Sequence, residues 1–175
     1  MGFERRALVA AIAAAVALAI PFGSVAASRA EHRSVQMLDA CDGPSFDAAI
    51  GAGSCQRKGG VTFQQFIADL MSRGQAPAWR FSPTYLKLAT AGQIDAYNKG
   101  GEFHTFTEVG SFGGGCVPEL NAVLDLSPVP ECGIPGIFAT GAAPGGEVET
   151  GELSAGTHRF QCLIHPWMRA TVEVG

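Results

Sequence analysis

Cys162, His165 and Met168 fall within seven consecutive residues, Cys162-Leu163-Ile164-His165-Pro166-Trp167-Met168, so one short segment carries a thiolate, an imidazole and a thioether. A mixed set of sulfur and imidazole donors suits copper, because thiolate and thioether hold Cu(I) while imidazole also accepts Cu(II). Upstream, His104 in the run Gly101-Glu102-Phe103-His104-Thr105-Phe106-Thr107 offers a second imidazole. Two imidazoles, one thiolate and a weak axial thioether form the donor set of a blue-copper electron-transfer centre. Taken singly, each residue has a blander reading: a buried apolar Cys, a satisfied His, a gap-filling Met. Taken together, three such donors on one loop after an alternating strand, with His104 in a matching context, point to a metal. His32 sits just after the N-terminal targeting segment. His158 lies four residues before Cys162, an even offset that puts it on the same strand face, and it reads as structural, with a supporting contact to the ligands as the alternative.

These donors need rigid elements to hold them. Residues 79–89, 93–98, 102–108, 147–153, 157–162 and 169–174 carry the β-branched, aromatic and alternating patterns of short strands. His104 falls inside one of them, and the Cys162 loop is bracketed by the last two. Phe112-Gly113-Gly114-Gly115 makes a glycine-rich turn that either packs close to the metal loop or only redirects the chain. Residues 117–146 hold five prolines and read as a long loop. Ahead of the strands, Thr62 and Gln65 form a capping-box pattern, and Phe63, Phe66, Ile67, Leu70 and Met71 recur at offsets of three and four before Gly74. That predicts one amphipathic helix over 63–73 ended by a glycine cap. Residues 41–60, with two cysteines and five glycines, read as a loop with little regular structure.

At these residues the chain resembles the cupredoxins, and its CxxHxxM spacing is most similar to that of amicyanin. Trp79 to Pro83 resemble the first cupredoxin strand, Asn98 to Gly101 the turn before the upstream ligand, and Gly156 to Gln161 the strand that delivers the Cys. The resemblance covers roughly the last 100 residues, the usual size of one sandwich domain. It implies an all-β Greek-key sandwich over 77–175, preceded by an extension over 28–76 with one short α-helix. It also implies one copper ion per chain on His104, Cys162, His165 and Met168, a one-electron carrier rather than an enzyme, and redox proteins as donor and acceptor. The region 117–146 is longer than the resemblance leads one to expect. Trp167 either joins an apolar docking patch at the His165 edge or packs against the end of the domain.

The remaining composition bears on compartment and partners. Arg5 and Arg6, the uncharged apolar run Ala7–Ile20 and the small residues Ser24 to Ala27 form a secretory signal peptide over 1–27. The run is shorter than the roughly 20 residues of a membrane span, and membrane association follows only if it is not cleaved. The expected location is periplasmic or extracellular. In such a compartment an odd count of five cysteines needs an explanation for the unpaired one, and ligation by Cys162 supplies it. Of the three possible pairings of the other four, the local one, Cys41 with Cys55 and Cys116 with Cys132, is favoured. From Ser28 onward ten Lys and Arg oppose fifteen Asp and Glu. An acidic chain is a poor phosphate binder, so nucleic acid is excluded as a partner. Glu147, Glu149 and Glu152 either steer a basic partner or form a solvated strand face. A copper-delivery protein is the alternative function, and the absence of clustered His and Met counts against it.

Overall fold

The computed structural model describes residues 31–175; the signal peptide and its cleavage lie outside them. In chain order the elements are β1 (His32–Leu38), α1 (Gly43–Ile50), α2 (Phe63–Arg73), β2 (Arg80–Ser82), β3 (Tyr85–Leu88), β4 (Gln93–Asn98), β5 (His104–Thr105), β6 (Thr107–Glu108), α3 (Pro118–Leu124), β7 (Gly141–Ala142), β8 (Glu147–Glu149), β9 (Gly156–Gln161) and β10 (Arg169–Val174). Two four-stranded sheets, in the orders β2-β1-β4-β8 and β3-β10-β9-β6, make up the sandwich, and β5 pairs separately with β7. The alternation that predicts strands also builds the core. β4 buries Ile94, Ala96 and Asn98, while β10 buries Ala170, Val172 and Val174. The apolar ones meet Val35 and Met37 of β1, Phe81 of β2 and Phe160 of β9 in one cluster, while Asn98 donates to the Glu102 and Ala142 carbonyls. Phe106 stacks on Phe160 with ring centroids 4.3 Å apart, and meets Phe81 edge-on at 5.1 Å.

Two differences from the sequence reading matter for the site. The first strand of the sandwich is β1, not the segment at Trp79. β1 runs parallel to β4 and antiparallel to β2, so residues before 77 supply an inner strand of the sheet. Its inward face holds only Val35 and Met37 behind a polar start, a pattern too short to mark a strand without its neighbours. Second, the segment 41–60 contains the helix α1. Asp42 caps it by accepting the Ser45 N–H at 3.1 Å, and Pro44 occupies the first turn, where its missing N–H costs nothing. Phe46 anchors this helix in an aromatic cluster with Phe63, Phe66 and Trp79. The predicted strand 79–89 is likewise divided at Pro83 into β2 and β3, which belong to different sheets. Part of the proline-rich stretch forms α3, with Pro118 in its first turn.

α2 matches its prediction in both bounds. Thr62 and Gln65 exchange hydrogen bonds in the capping box, and Gly74 closes the helix at φ 67°, a left-handed conformation natural to glycine. Both expected disulfides are present, Cys41–Cys55 and Cys116–Cys132, and Cys162 is the free cysteine among the described residues. Disulfides of this kind persist in oxidising compartments, in keeping with an extracellular or periplasmic setting. No helix among the described residues is long and apolar enough to cross a membrane. Replacing Cys41 and Cys55 together by Ser is expected to lower stability by about 3 kcal/mol, the chain-entropy value for a loop of this length. Unfolding free energies extrapolated to water from urea titrations would report it, with a steeper slope in the variant because its unfolded chain is less constrained.

Candidate metal centre

Cys162 follows the last residue of β9, and Met168 precedes the first residue of β10, so the two central strands of one sheet hold the loop between them. The loop is closed by its own backbone: the Cys162 N–H donates to the Met168 carbonyl at 3.0 Å, and the Met168 N–H donates to the His165 carbonyl at 2.9 Å. A second segment clamps it from outside. The Leu163 N–H donates to Thr105 Oγ1 at 2.8 Å, and the Cys116 N–H donates to the Leu163 carbonyl. Gly115 allows this approach, since a Cβ there would lie 2.3 Å from the Leu163 carbonyl oxygen. The glycine-rich turn therefore packs on the loop from Cys162 to Met168. Thr105 acts as an acceptor that fixes the loop backbone.

His104, on the short strand β5, reaches the same point from the other side. Cys162 Sγ lies 3.9 Å from His104 Nδ1 and 3.8 Å from His165 Nδ1. All three donor atoms fall within 4.8 Å of one another. With metal–donor bonds of about 2.0–2.3 Å, atoms around a trigonal centre stand about 3.7 Å apart, so these separations fit a single ion. Cys162, Met168 and His104 have no exposed surface, and His165 has 3%. Met168 is thus fixed by its backbone at the loop's end with its side chain in the core. The other two histidines lie elsewhere: His32 meets Asp95 at 3.3 Å, and His158 binds Glu108 at 2.6 Å and the Ser154 carbonyl at 2.8 Å.

Two buried carboxylates complete the site, and neither was picked out in the sequence. Asp39, just past β1, accepts a hydrogen bond from His104 Nε2 at 2.8 Å, and both side chains are fully buried. Its oxygens also accept the N–H groups of Cys41, Gly101 and Glu102 at 2.8–3.1 Å. Gly100 makes room for it, since a Cβ at that position would lie 2.0 Å from Asp39 Oδ2. With Nε2 turned to Asp39, Nδ1 is the nitrogen that faces Cys162 Sγ and could bind a metal. Glu102 lies behind His165 without a direct hydrogen bond, its Oε2 3.6 Å from Nε2, and the Trp79 Nε1–H donates to that same oxygen.

In the metal-free site these groups hold one another as charged partners, and a bound metal would displace the proton on His104. Burial pushes the Cys162 thiol up, but hydrogen bonds and charge from His104 and His165 outweigh it and hold the thiol well below its ordinary range. For His104, burial works against protonation, and Asp39 and Cys162 together raise it to about 9. Asp39 is raised by burial, yet the hydrogen bonds from His104, Gly101 and Glu102 bring it down to about 2 from an ordinary 3.8. Glu102, dominated by burial, is shifted upward. A carboxyl lowered on folding contributes stability that is complete above its unfolded pKa and lost as pH falls through the folded one. The advantage of metal-free wild-type protein over Asp39→Asn is therefore expected to be full between about pH 4 and 6.5, to shrink toward pH 9 as His104 loses its second proton, and to vanish toward pH 2, as read by urea midpoints across that range.

Trp167 packs rather than protrudes. Its Nε1–H donates to the Ala76 carbonyl at 3.2 Å, and its ring meets His165 edge-on at 5.4 Å and Phe66 at 5.9 Å. α2 thereby covers the His165 side of the loop. The sandwich, the loop between its last two strands and the histidine brought in from an earlier strand set the architecture. The fold is cupredoxin-like. Solved structures similar to it include a purple cupredoxin from Nitrosopumilus maritimus, at 13% identity and TM-score 0.44, covering 81% of this chain and 98% of that one. An amicyanin variant in its Cu(I) form is similar at 14% identity and TM-score 0.36, over 55% of this chain and 73% of that one. A copper-containing nitrite reductase from Thermus scotoductus SA-01 is similar at 14% identity and TM-score 0.36, over 55% of this chain and 20% of that one. No family model and no curated protein matches the sequence.

Proposed function

We propose that the protein is an exported one-electron carrier that binds one copper ion through His104 Nδ1, Cys162 Sγ, His165 Nδ1 and, as the weak fourth donor, Met168. The observation that carries this reading is the convergence of one thiolate and two imidazole nitrogens, 3.8–3.9 Å from sulfur to each nitrogen, in a site closed to solvent. Copper in such a donor set supplies reversible one-electron chemistry. The residues supply the rest. Asp39 orients His104, and Glu102 faces His165 from behind. The clamp from Thr105 and Cys116 keeps the loop backbone in place. A centre held this firmly changes little between oxidation states, which is what a carrier needs.

Burial also separates the reading from its alternatives. A delivery protein must hand its metal on, and these donors offer almost no surface from which to do so. A copper enzyme needs an open position for substrate, whereas the thiolate and His104 are enclosed. Redox proteins remain the proposed donor and acceptor. The acidic side chains Glu147 and Glu149 on the outer strand β8 are exposed and suit a basic partner. A potentiometric titration of the copper-loaded protein tests the proposal. The expected result is one reversible electron per chain with no loss of metal; copper release on reduction would favour delivery instead.

A further inference from the structure

A groove of about 520 Å³ opens beside His165, walled by Phe46, Phe63, Phe66, Leu120 and Ile164 and floored in part by Glu102. That volume falls in the range of small-ligand sites, roughly 300–1,000 Å³. Glu102 is 7% exposed, and its Oε2 takes the Trp79 N–H and faces His165. Its Oε1 has no hydrogen-bond partner among the described residues. Glu119, in the first turn of α3, adds a second carboxylate at the groove. No Lys or Arg lines it. At the mouth, Ile50 and Val123 are 57% and 45% exposed.

A carboxylate so largely withdrawn from water is costly to keep charged, and an organic cation in the groove beside it would offset that cost. Apolar walls that include three phenyl rings suit the body of such a molecule, and ring faces attract its charge. We infer that this groove binds a small organic cation with an apolar, ring-sized body, its charge toward Glu102 and Glu119 and its body against the phenylalanines. The inference concerns a site next to the metal centre and stands apart from the ligand assignment. A ligand seated there would lie against the ring of His165, so its occupancy would register in the spectrum of bound copper.

The test uses benzyltrimethylammonium, whose charge does not depend on pH, and 3-phenylpropionate, a ring of similar size with the opposite charge. Binding of each to the full chain, copper-loaded and copper-free, is followed by calorimetry. The cation is expected to bind at least tenfold more tightly than the anion. Val123→Lys, which places an ammonium group at the mouth on an already exposed position, should weaken cation binding at least tenfold, and Glu119→Gln several-fold. Equal binding of cation and anion, binding of neither, or cation binding unchanged in Val123→Lys would overturn the inference. A blue protein that ignores the cation would refute only this site; a colourless one that binds it would refute only the copper assignment.

Discussion

Cys162→Ser protein is expected to fold and to keep both disulfides but to show no intense visible band with Cu(II). The side chain is fully buried, and a hydroxyl is close to a thiol in size. It can also hydrogen-bond to His104 and His165, so the two imidazoles are not left without a partner. What is lost is the one anionic sulfur donor. Removing partners that only orient a ligand costs 10–100-fold in metal affinity, and loss of the thiolate itself is expected to exceed that, at about 100-fold or more. Counting thiols in denatured, non-reduced protein gives the control: one in the metal-free wild type, from Cys162, and none in the variant. A visible band surviving the substitution would refute the thiolate assignment.

Asp39→Asn tests the other half of the account, that a carboxylate from the N-terminal segment sets up His104. Both Asp39 oxygens act as acceptors, for three backbone N–H groups and for His104 Nε2. An amide can face these donors with only one oxygen. Whichever way it turns, its NH₂ opposes an N–H. The expected cost is about 3 kcal/mol in stability, at the level of breaking a buried pair. Copper affinity should fall about 10–100-fold, as for other partners behind a metal-ligating histidine. Nitrogen chemical shifts of His104 in metal-free protein provide a readout that simple destabilisation would not move: the ring should keep its second proton up to about pH 9 in the wild type and lose it at lower pH in the variant. Unchanged copper affinity in a folded Asp39→Asn protein would show that Asp39 serves the loop and not the metal.

The parts of this molecule that can be read from the sequence are those encoded locally. Residues 93–98 and 169–174 alternate cleanly, and both are strands within those bounds. The helix 63–73 announces itself through Thr62, Gln65 and Gly74 at its ends. The loop from Cys162 to Met168 carries its chemistry in seven adjacent letters. Elements that depend on distant partners are not legible in this way. β1 is a strand because β2 and β4 pair with it, and its own alternation is confined to Val35 and Met37. α1 carries local cues in Asp42 and Pro44, but its glycine-rich surroundings mask them, and burial of Phe46 in an aromatic cluster secures it. Asp39 and His104 are 65 positions apart, and nothing in either neighbourhood announces the contact. The one usable hint is an acidic residue between an apolar strand end and Cys41, a place where a carboxylate needs a buried role.

The central claim is that the cluster of His104, Cys162 and His165, with Met168 at the end of the same loop, is a copper site with a thiolate bond. The most direct measurement is the visible spectrum of protein loaded with one equivalent of Cu(II), recorded before and after ascorbate. The account predicts an intense thiolate-to-copper band that bleaches on reduction and returns on reoxidation. Stoichiometric copper binding without such a band would contradict it.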